Sequence, residues 1–177
     1  MVAPHDLVES LAAARIEETF NQYSRSRLRR ERLAAYLEAR RGAPLLLVGE
    51  APGYRGARVS GIPFTSERQL TGTGPAEATA TIVHRVLGEL GLEERVLLWN
   101  VVPTHPGTAS GNRRPTSREV AAGLRFLEPL TAGRTVIAVG RVAERALGVR
   151  GVRHPSHGGA NAFRSGLASI GRVFGAG

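Results

Sequence analysis

The spacing of apolar residues near the start of the chain predicts two amphipathic helices. The first is predicted to begin with Asp6 as its N-cap, and its apolar face consists of Leu7, Leu11, Ala14 and Ile16. The second is predicted from about residue 27 to 41, where Gly42 ends it. The inward positions of this second helix are Leu28, Leu33, Tyr36 and Leu37.

Further along the chain, short apolar runs predict strands. Residues 44–48, 96–102 and 135–139 have the continuous apolar composition of buried parallel strands, and residues 149–152 predict a short fourth strand.

Helix signals separate these runs. Pro75 suits the first turn of a helix that reaches Gly91, residues 116–119 form a capping box that opens a helix to about Leu130, and a helix to Leu147 follows Gly140. The segments 54–74 and 103–115 are predicted to be loops. Strands that alternate with helices predict an α/β fold, a three-layer α/β/α sandwich with a central, mostly parallel four-stranded sheet.

Length and composition favour one soluble domain. We expect the 177 residues to form a single domain, with N-terminal helices in residues 1–43 and the motif-bearing core in residues 44–166; 42% of the chain is hydrophobic. The absence of cysteine excludes disulfides, thiolate metal sites and cysteine nucleophiles. No run approaches the ~20 apolar residues of a membrane helix, and no signal-peptide pattern opens the chain. We expect a cytoplasmic, nucleoid-associated monomer that does not bind membranes.

The charge is positive and unevenly distributed. The formal net charge is +9, and all 24 basic residues are arginines. Residues 100–177 contain 11 Arg and 3 acids, whereas residues 1–49 contain 8 Arg and 6 acids. This asymmetry fits a polyanionic partner such as DNA or RNA, although a GC-rich genome and solvated arginine faces are the simpler alternatives.

Three side chains capable of chemistry follow predicted strands, at the sheet edge where α/β proteins bind ligands. Glu50 could orient water or act as a base, or else cap a helix or pair with an arginine. Asn100 has the donor and acceptor needed to read a base edge, or else satisfies loop backbone. His154 could donate to a developing anion, or else be an ordinary surface or core histidine.

Three further features of the sequence have a functional and a structural interpretation. Phe64 lies in a polar loop and is either a loop anchor or a stacking platform for a base. The pair formed by His154 and His157 has the spacing of metal ligands, but no acidic cluster accompanies it, so no metal site is predicted. The segment 72–74 does not follow a strand, which argues against a dinucleotide fingerprint.

Taken in order, these segments resemble the motifs of the uracil-DNA glycosylase superfamily over about residues 44–166. Gly-Glu-Ala-Pro-Gly at 49–53 is similar to the water-activating motif of the bacterial and archaeal iron–sulfur branch. The segment 61–65 resembles that branch's Gly-x-Pro-Phe segment, and residues 99–116 resemble the strand whose Asn reads uracil together with the loop after it. Residues 136–141 and the segment 154–156, His-Pro-Ser, complete the series.

The resemblance implies a role for each matched position. Glu50 and His154 would be catalytic, with Glu50 holding the water and His154 stabilising the departing base. The residues implied to bind uracil are Phe64, Asn100, Gly49, Ala51 and Tyr54. The residues implied to bind DNA are Arg153, Ser156, His157, Gly158, Arg164, Arg113 and Arg114. Within the segment 157–164, Phe163 and Asn161 are candidates for the side chain that fills the gap left by the base, and Phe163 is equally a candidate for the core.

The departures from the family pattern limit what it implies. The iron–sulfur branch uses four cysteines, whereas this chain has none. The only aspartate is Asp6, so the aspartate of the best-known uracil glycosylases is absent. Gly53 stands where those enzymes have a tyrosine that blocks the thymine methyl group, and Tyr54 comes one place later. Exclusion of thymine is therefore not implied.

The function implied is a monofunctional, base-flipping DNA repair glycosylase that hydrolyses the N-glycosidic bond of uracil and needs no cofactor or metal. Two alternatives stay open. One is a non-catalytic protein of the same fold that binds lesions or abasic sites. The other is an α/β enzyme acting on free nucleotides or phosphate esters, against which the missing aspartate and phosphate loop argue.

Overall fold

The computed structural model describes residues 3–173, and its centre is a parallel sheet of four strands. The strands are β1 (Leu45–Gly49), β2 (Val96–Asn100), β3 (Thr135–Val139) and β4 (Gly151–Val152). Their order across the sheet is β2-β1-β3-β4, and every neighbouring pair is parallel. The predicted α/β class with a parallel sheet is confirmed.

Helices occupy most of the connections. They are α1 (Pro4–Ala13), α2 (Arg27–Ala39), α3 (Ala57–Ser60), α4 (Glu67–Thr71), α5 (Ala78–Glu89), α6 (Ser117–Thr131), α7 (Arg141–Leu147) and α8 (Ala160–Val173). A 3₁₀ turn at Glu93–Arg95 leads into β2. Within residues 3–173, no helix is both long enough and apolar enough to cross a membrane.

Alternation along the strands gives the sheet two covered faces. Leu46 and Val48 of β1 pack in one buried cluster with residues of α1, α2, α6 and α7. Leu45 and Leu47 pack on the opposite face with residues of α5 and α8. Since successive strand side chains point to opposite faces, a fully apolar strand requires helices on both sides. The three predicted layers follow from this requirement.

The N-terminal helices differ in detail from their prediction. Helix α1 starts at Pro4 with Ala3 as its N-cap, so Asp6 lies in the first turn and is not the cap. Proline is well suited to the first helical position because its missing N–H would have no partner there. Helix α2 ends at Ala39, before Gly42, and Leu28 is 56% exposed. Leu28 precedes the buried Leu37 by about two and a half turns, which places it on the opposite side of the helix.

One predicted loop contains helices, and the last helix of the chain was not predicted. The segment 54–74 includes the short helices α3 and α4, which Gly61 and Gly72 terminate in the left-handed conformation. This last helix is α8, whose start lies in the segment 157–164 that the resemblance assigns to DNA contact. Its buried residues Phe163, Leu167 and Gly171 recur every four residues and face the sheet. The fourth strand is shorter than predicted.

Candidate active site

The sheet positions the candidate residues around one cavity of about 510 Å³ at the carboxyl ends of its strands. Glu50 directly follows β1, and Asn100 is the last residue of β2, paired in register with Gly49. His154 comes two residues after β4. Together with Phe64, these side chains line the cavity, so the structure brings together residues that lie far apart in sequence.

Phe64 lies against Gly49, the first residue of the Gly-Glu-Ala-Pro-Gly segment at 49–53, which is called the first motif below. A Cβ atom at Gly49 would come within 2.2 Å of the Phe64 Cζ atom and 3.0 Å of the Asn100 Oδ1 atom. Phe64 is 8% exposed and has a positive φ of 53°, a conformation that is strained for an aromatic residue. Only glycine at position 49 leaves room for the ring beside Asn100.

The loop that carries Phe64 is anchored by the N-terminal helix region. The Tyr23 hydroxyl donates to the Gly61 carbonyl at 2.9 Å, and the Arg29 guanidinium donates to the Val59 carbonyl at 2.7 Å. Thr65, the residue after Phe64, bonds to the ring of His84 at 3.0 Å. These bonds offset the strain at Phe64 by fixing the backbone on both sides of it.

Asn100 presents a buried amide to the cavity. The residue is 3% exposed, and within the described part of the chain no hydrogen bond is made by its side chain. A buried amide normally finds partners in the protein, so this one is available to a ligand. The alternative, an amide that satisfies loop backbone, is not what the structure contains.

Glu50 is a half-buried carboxylic acid at the cavity wall. Burial raises its pKa above the usual range, and the positive charge of Arg114 partly opposes that shift. No ion pair involving Glu50 occurs among the described residues. The residue is held through its backbone, because the Glu50 carbonyl accepts a hydrogen bond from the Val102 N–H at 3.1 Å.

The hydrogen bonds of His154 determine which ring nitrogen carries the proton. The Ser156 backbone N–H donates to Nδ1 at 3.2 Å, and the Ser156 hydroxyl lies 2.7 Å from the same nitrogen. An acceptor at Nδ1 leaves the proton of a neutral imidazole on Nε2. Burial, with a smaller contribution from His157, lowers the pKa of His154. The ring is therefore a neutral donor through Nε2–H.

Several of the other predicted residues surround the cavity. The structure places Ala51, Tyr54, Arg113, Ser156 and His157 in its lining, with Gly49 buried beneath Phe64. Arg113 is held by two bonds to Glu119, at 2.8 and 2.5 Å, and the Tyr54 N–H donates to Asn112 at 2.8 Å.

The remaining predicted residues lie further out. Arg114 is exposed, and so are Arg153 and Gly158. His157 and Gly158 both have positive φ, which turns this loop sharply at the rim. Arg164 lies on α8 outside the cavity lining and pairs with Glu89 at 3.0 Å.

The two wedge candidates are separated by their burial. Phe163 is fully buried between α8 and the sheet, so it belongs to the core and is not available to a DNA duplex. Asn161 is exposed in the first turn of α8.

Glu77 is a cavity residue that the sequence analysis missed. It precedes α5, and its carboxylate fills the space above two glycines of the first motif loop: a Cβ atom at Gly53 or Gly56 would come within 1.7 or 1.9 Å of its oxygens. Burial raises the pKa of Glu77. The signal was the pair of glycines three residues apart, which marks a backbone that another group approaches closely.

The residues do not fit an iron–sulfur cluster. The chain has no cysteine, and within residues 3–173 no group of three His, Asp or Glu side chains is arranged to hold a metal ion. The likeness to the iron–sulfur branch is thus confined to the sequence motifs at 49–53 and 61–65.

A three-layer α/β fold with a cavity at the carboxyl ends of its strands is an architecture that many enzyme classes share, and the family comparison determines which class this chain belongs to. The family model of the uracil DNA glycosylase superfamily matches residues 37–172, so the chain belongs to that superfamily. Members act on DNA as glycosylases. The crystal structure of wild-type Pedobacter heparinus SMUG2 is similar, with a TM-score of 0.72 and 16% identity over 98% of this chain and 99% of that one. No curated protein matches the chain.

Proposed function

We propose that this protein excises uracil from DNA by hydrolysing the N-glycosidic bond and leaves the strand uncut. The observation that carries the proposal is the convergence of Phe64, Asn100, Glu50 and His154 on one cavity. A stacking ring, a base-reading amide, a carboxylate and a neutral imidazole are the groups that excision of a flipped base requires.

Uracil would be recognised by the free amide of Asn100. Its N–H donates to uracil O4 and its oxygen accepts from N3–H, whereas cytosine presents the opposite pattern. A cytosine in the site would leave the buried amide unpaired, and such a mismatch costs several kcal/mol in comparable sites, about 10⁴–10⁵ in rate. Phe64, next to Asn100, stacks on the base and holds its edge toward the amide.

Bond cleavage would proceed through charge stabilisation. As the glycosidic bond breaks, the sugar becomes cationic and uracil leaves as an anion. His154 donates from Nε2–H to uracil O2, which suits a neutral ring. Glu50 as a carboxylate favours the sugar cation and holds the water that attacks C1′; the water's proton passes to the carboxylate.

The target nucleotide must leave the base stack, because C1′ is inaccessible inside a duplex. The rim that follows His154, formed by Ser156, His157 and Gly158, would contact the phosphates beside the flipped nucleotide. The exposed Arg153 and Arg114 supply positive charge there.

Strand cleavage is not expected of this protein. A glycosylase that also cuts the strand usually attacks with an amine, and the sequence contains no lysine. The product would be an intact strand with an abasic site.

The test is a duplex that carries one uracil opposite guanine, incubated with the protein and separated on a denaturing gel. We expect a break only after alkali, and none in a matched duplex with cytosine in place of uracil. Breakage without alkali would contradict monofunctional excision. Binding of uracil or abasic duplexes without any alkali-labile product would instead favour a lesion-binding protein.

A further inference from the structure

His105 is a buried histidine that no step above uses, and its ring joins two loops of the site. It lies in the segment after β2 and is 0% exposed. Its Nδ1 is 2.7 Å from the carbonyl oxygen of Pro52, in the loop that carries Glu50. Its Nε2 is 2.8 Å from the carbonyl oxygen of Thr108. One ring therefore contacts two carbonyl oxygens at hydrogen-bond distance.

Both partners can only accept, and this determines what the ring must supply. A carbonyl oxygen has no hydrogen to donate, so each contact requires an N–H on the histidine. A neutral imidazole has one N–H and the imidazolium has two. In a neutral ring, the second nitrogen of this buried side chain would direct its lone pair at a carbonyl oxygen, which is repulsive and leaves the nitrogen without a hydrogen-bond partner.

We propose that His105 is a positioning residue that acts as a buried imidazolium, donating from both ring nitrogens to hold Pro52 against the loop after β2. The bond to Pro52 fixes the turn two residues after Glu50, and thus the direction in which the Glu50 carboxylate enters the cavity. The inference rests on the proposed function, since Glu50 is the group that it positions. Charge-assisted bonds to both carbonyls offset the cost of burying the cation.

The surroundings of His105 hold the ring in this arrangement. Its backbone pairs with that of Phe20 through bonds of 2.9 and 3.0 Å. Gln22 accepts from the His105 N–H at 3.2 Å and donates to the Pro103 carbonyl at 2.9 Å. A side chain at Gly107 would come within 3.2 Å of the His105 Nε2 atom, so glycine allows the turn to close over the ring.

Charged groups on the segments that pack against His105 influence how readily its ring is protonated. The segment before α2 carries Glu17, Glu18, Arg15 and Arg25, the loop after β1 carries Glu50 and Arg55, and the loop after β2 carries Arg113 and Arg114. The two segments that bond to His105 from outside its own loop thus each carry acids and arginines in equal number, so the case for the imidazolium rests on the two carbonyl contacts. None of these side chains hydrogen-bonds to the ring in the described chain, so the two carbonyls remain its partners.

The protonation of His105 is tested directly by ¹⁵N NMR of protein labelled at its five histidines, with the ring signals assigned through the backbone. At neutral pH we expect both ring nitrogens of His105 to carry protons and to exchange slowly with water. A ring with one protonated and one bare nitrogen overturns the proposal. This outcome does not depend on whether the protein excises uracil.

The positioning role is tested with His105→Gln, which can donate to one carbonyl only and does not titrate. At saturating protein we expect its single-turnover excision to fall by up to about 10²-fold, as for a misplaced catalytic group, with uracil-DNA binding retained. The control is His5→Gln, at an exposed residue of α1, which should keep the wild-type rate. A wild-type excision rate in His105→Gln, or a loss of DNA binding in proportion to the loss of rate, overturns the positioning role.

Discussion

At the scale of the residue, the amide of Asn100 is the group on which base selection depends. Replacing it by a carboxylate in Asn100→Asp removes the donor to uracil O4 without changing the shape of the side chain. We expect single-turnover excision of uracil to fall roughly 10- to 100-fold, because a buried hydrogen bond is lost and an acceptor faces an acceptor.

The matched control is Asn112→Asp. Asn112 also lines the cavity, but its oxygen only accepts from the Tyr54 N–H, and a carboxylate accepts equally well. Its rate at saturating protein should stay near the wild-type value. Equal rates for Asn100→Asp and the wild type would remove Asn100 from base recognition.

At the scale of the element, the end of β1 and the Phe64 loop fit together only because position 49 has no side chain. In Gly49→Ala the new methyl group would overlap the Phe64 ring, at 2.2 Å from its Cζ atom, so the ring must move. We expect a loss of about 1–3 kcal/mol in unfolding free energy and a larger proportional loss of excision. Gly42→Ala, which has no atom within 4 Å of the new carbon, is the control for both measurements. Unchanged excision by Gly49→Ala would mean that Phe64 does not stack on the base.

Helix α6 depends on a charge at its start. Glu119 closes the capping box with Thr116 and binds Arg113, and chiefly that arginine lowers the pKa of Glu119. A lowered pKa means that the carboxylate stabilises the fold above the unfolded-state pKa, about 4.3, and that this contribution is lost as pH falls further. The midpoint temperature of thermal unfolding of Glu119→Gln should therefore lie below that of the wild type at neutral pH. The difference between the two midpoints should become smaller in acid.

The control for this prediction is Glu128→Gln, at an exposed position of the same helix. Its midpoint temperature of thermal unfolding should equal that of the wild type at each pH. A gap between Glu119→Gln and the wild type that stays constant down to strongly acidic pH would contradict an ionic contribution from Glu119.

At the scale of the whole molecule, the excess of arginine predicts that DNA binding depends strongly on salt. Phosphate contacts release counterions, so log K falls linearly with log salt concentration. In Arg153→Ala, which removes an exposed charge beside His154, the slope should decrease in size by about 1, as measured by fluorescence anisotropy. Arg27→Ala, whose guanidinium pairs with Glu31 on α2, should keep the wild-type slope. A slope unaffected by Arg153→Ala would place the phosphates elsewhere.

The sequence analysis succeeded where the physical signal was local. Strand β3 and the capping box of α6 were predicted at their observed positions, because a continuous apolar run and a cap each depend on neighbouring residues. Helix α8 was not predicted, because the segment 157–164 was assigned to DNA contact by the resemblance and the apolar residues that follow it were not assigned to an element.

For the contacts that shape the site, the local sequence does not identify the partner residue. The two glycines at 53 and 56 mark a close approach, but Glu77 comes from another loop, and the His105 ring bonds to Pro52 across 53 positions of sequence. Only the folded chain brings such residues together. The catalytic roles of Glu50 and His154 remain predictions for a different reason, because they depend on the substrate that enters between the two side chains.

The most direct test of the account is the pH dependence of single-turnover uracil release by wild type, Glu50→Gln and His154→Ala at saturating protein. The account predicts that each variant loses about 10²–10³ in rate, the usual cost of one group aimed at developing charge. Burial raises the pKa of Glu50, so wild-type activity should fall in acid at a higher pH than an ordinary glutamate would give, and this acid limb should be absent from Glu50→Gln. Wild-type rates in both variants would contradict the assignment of this cavity as a catalytic site.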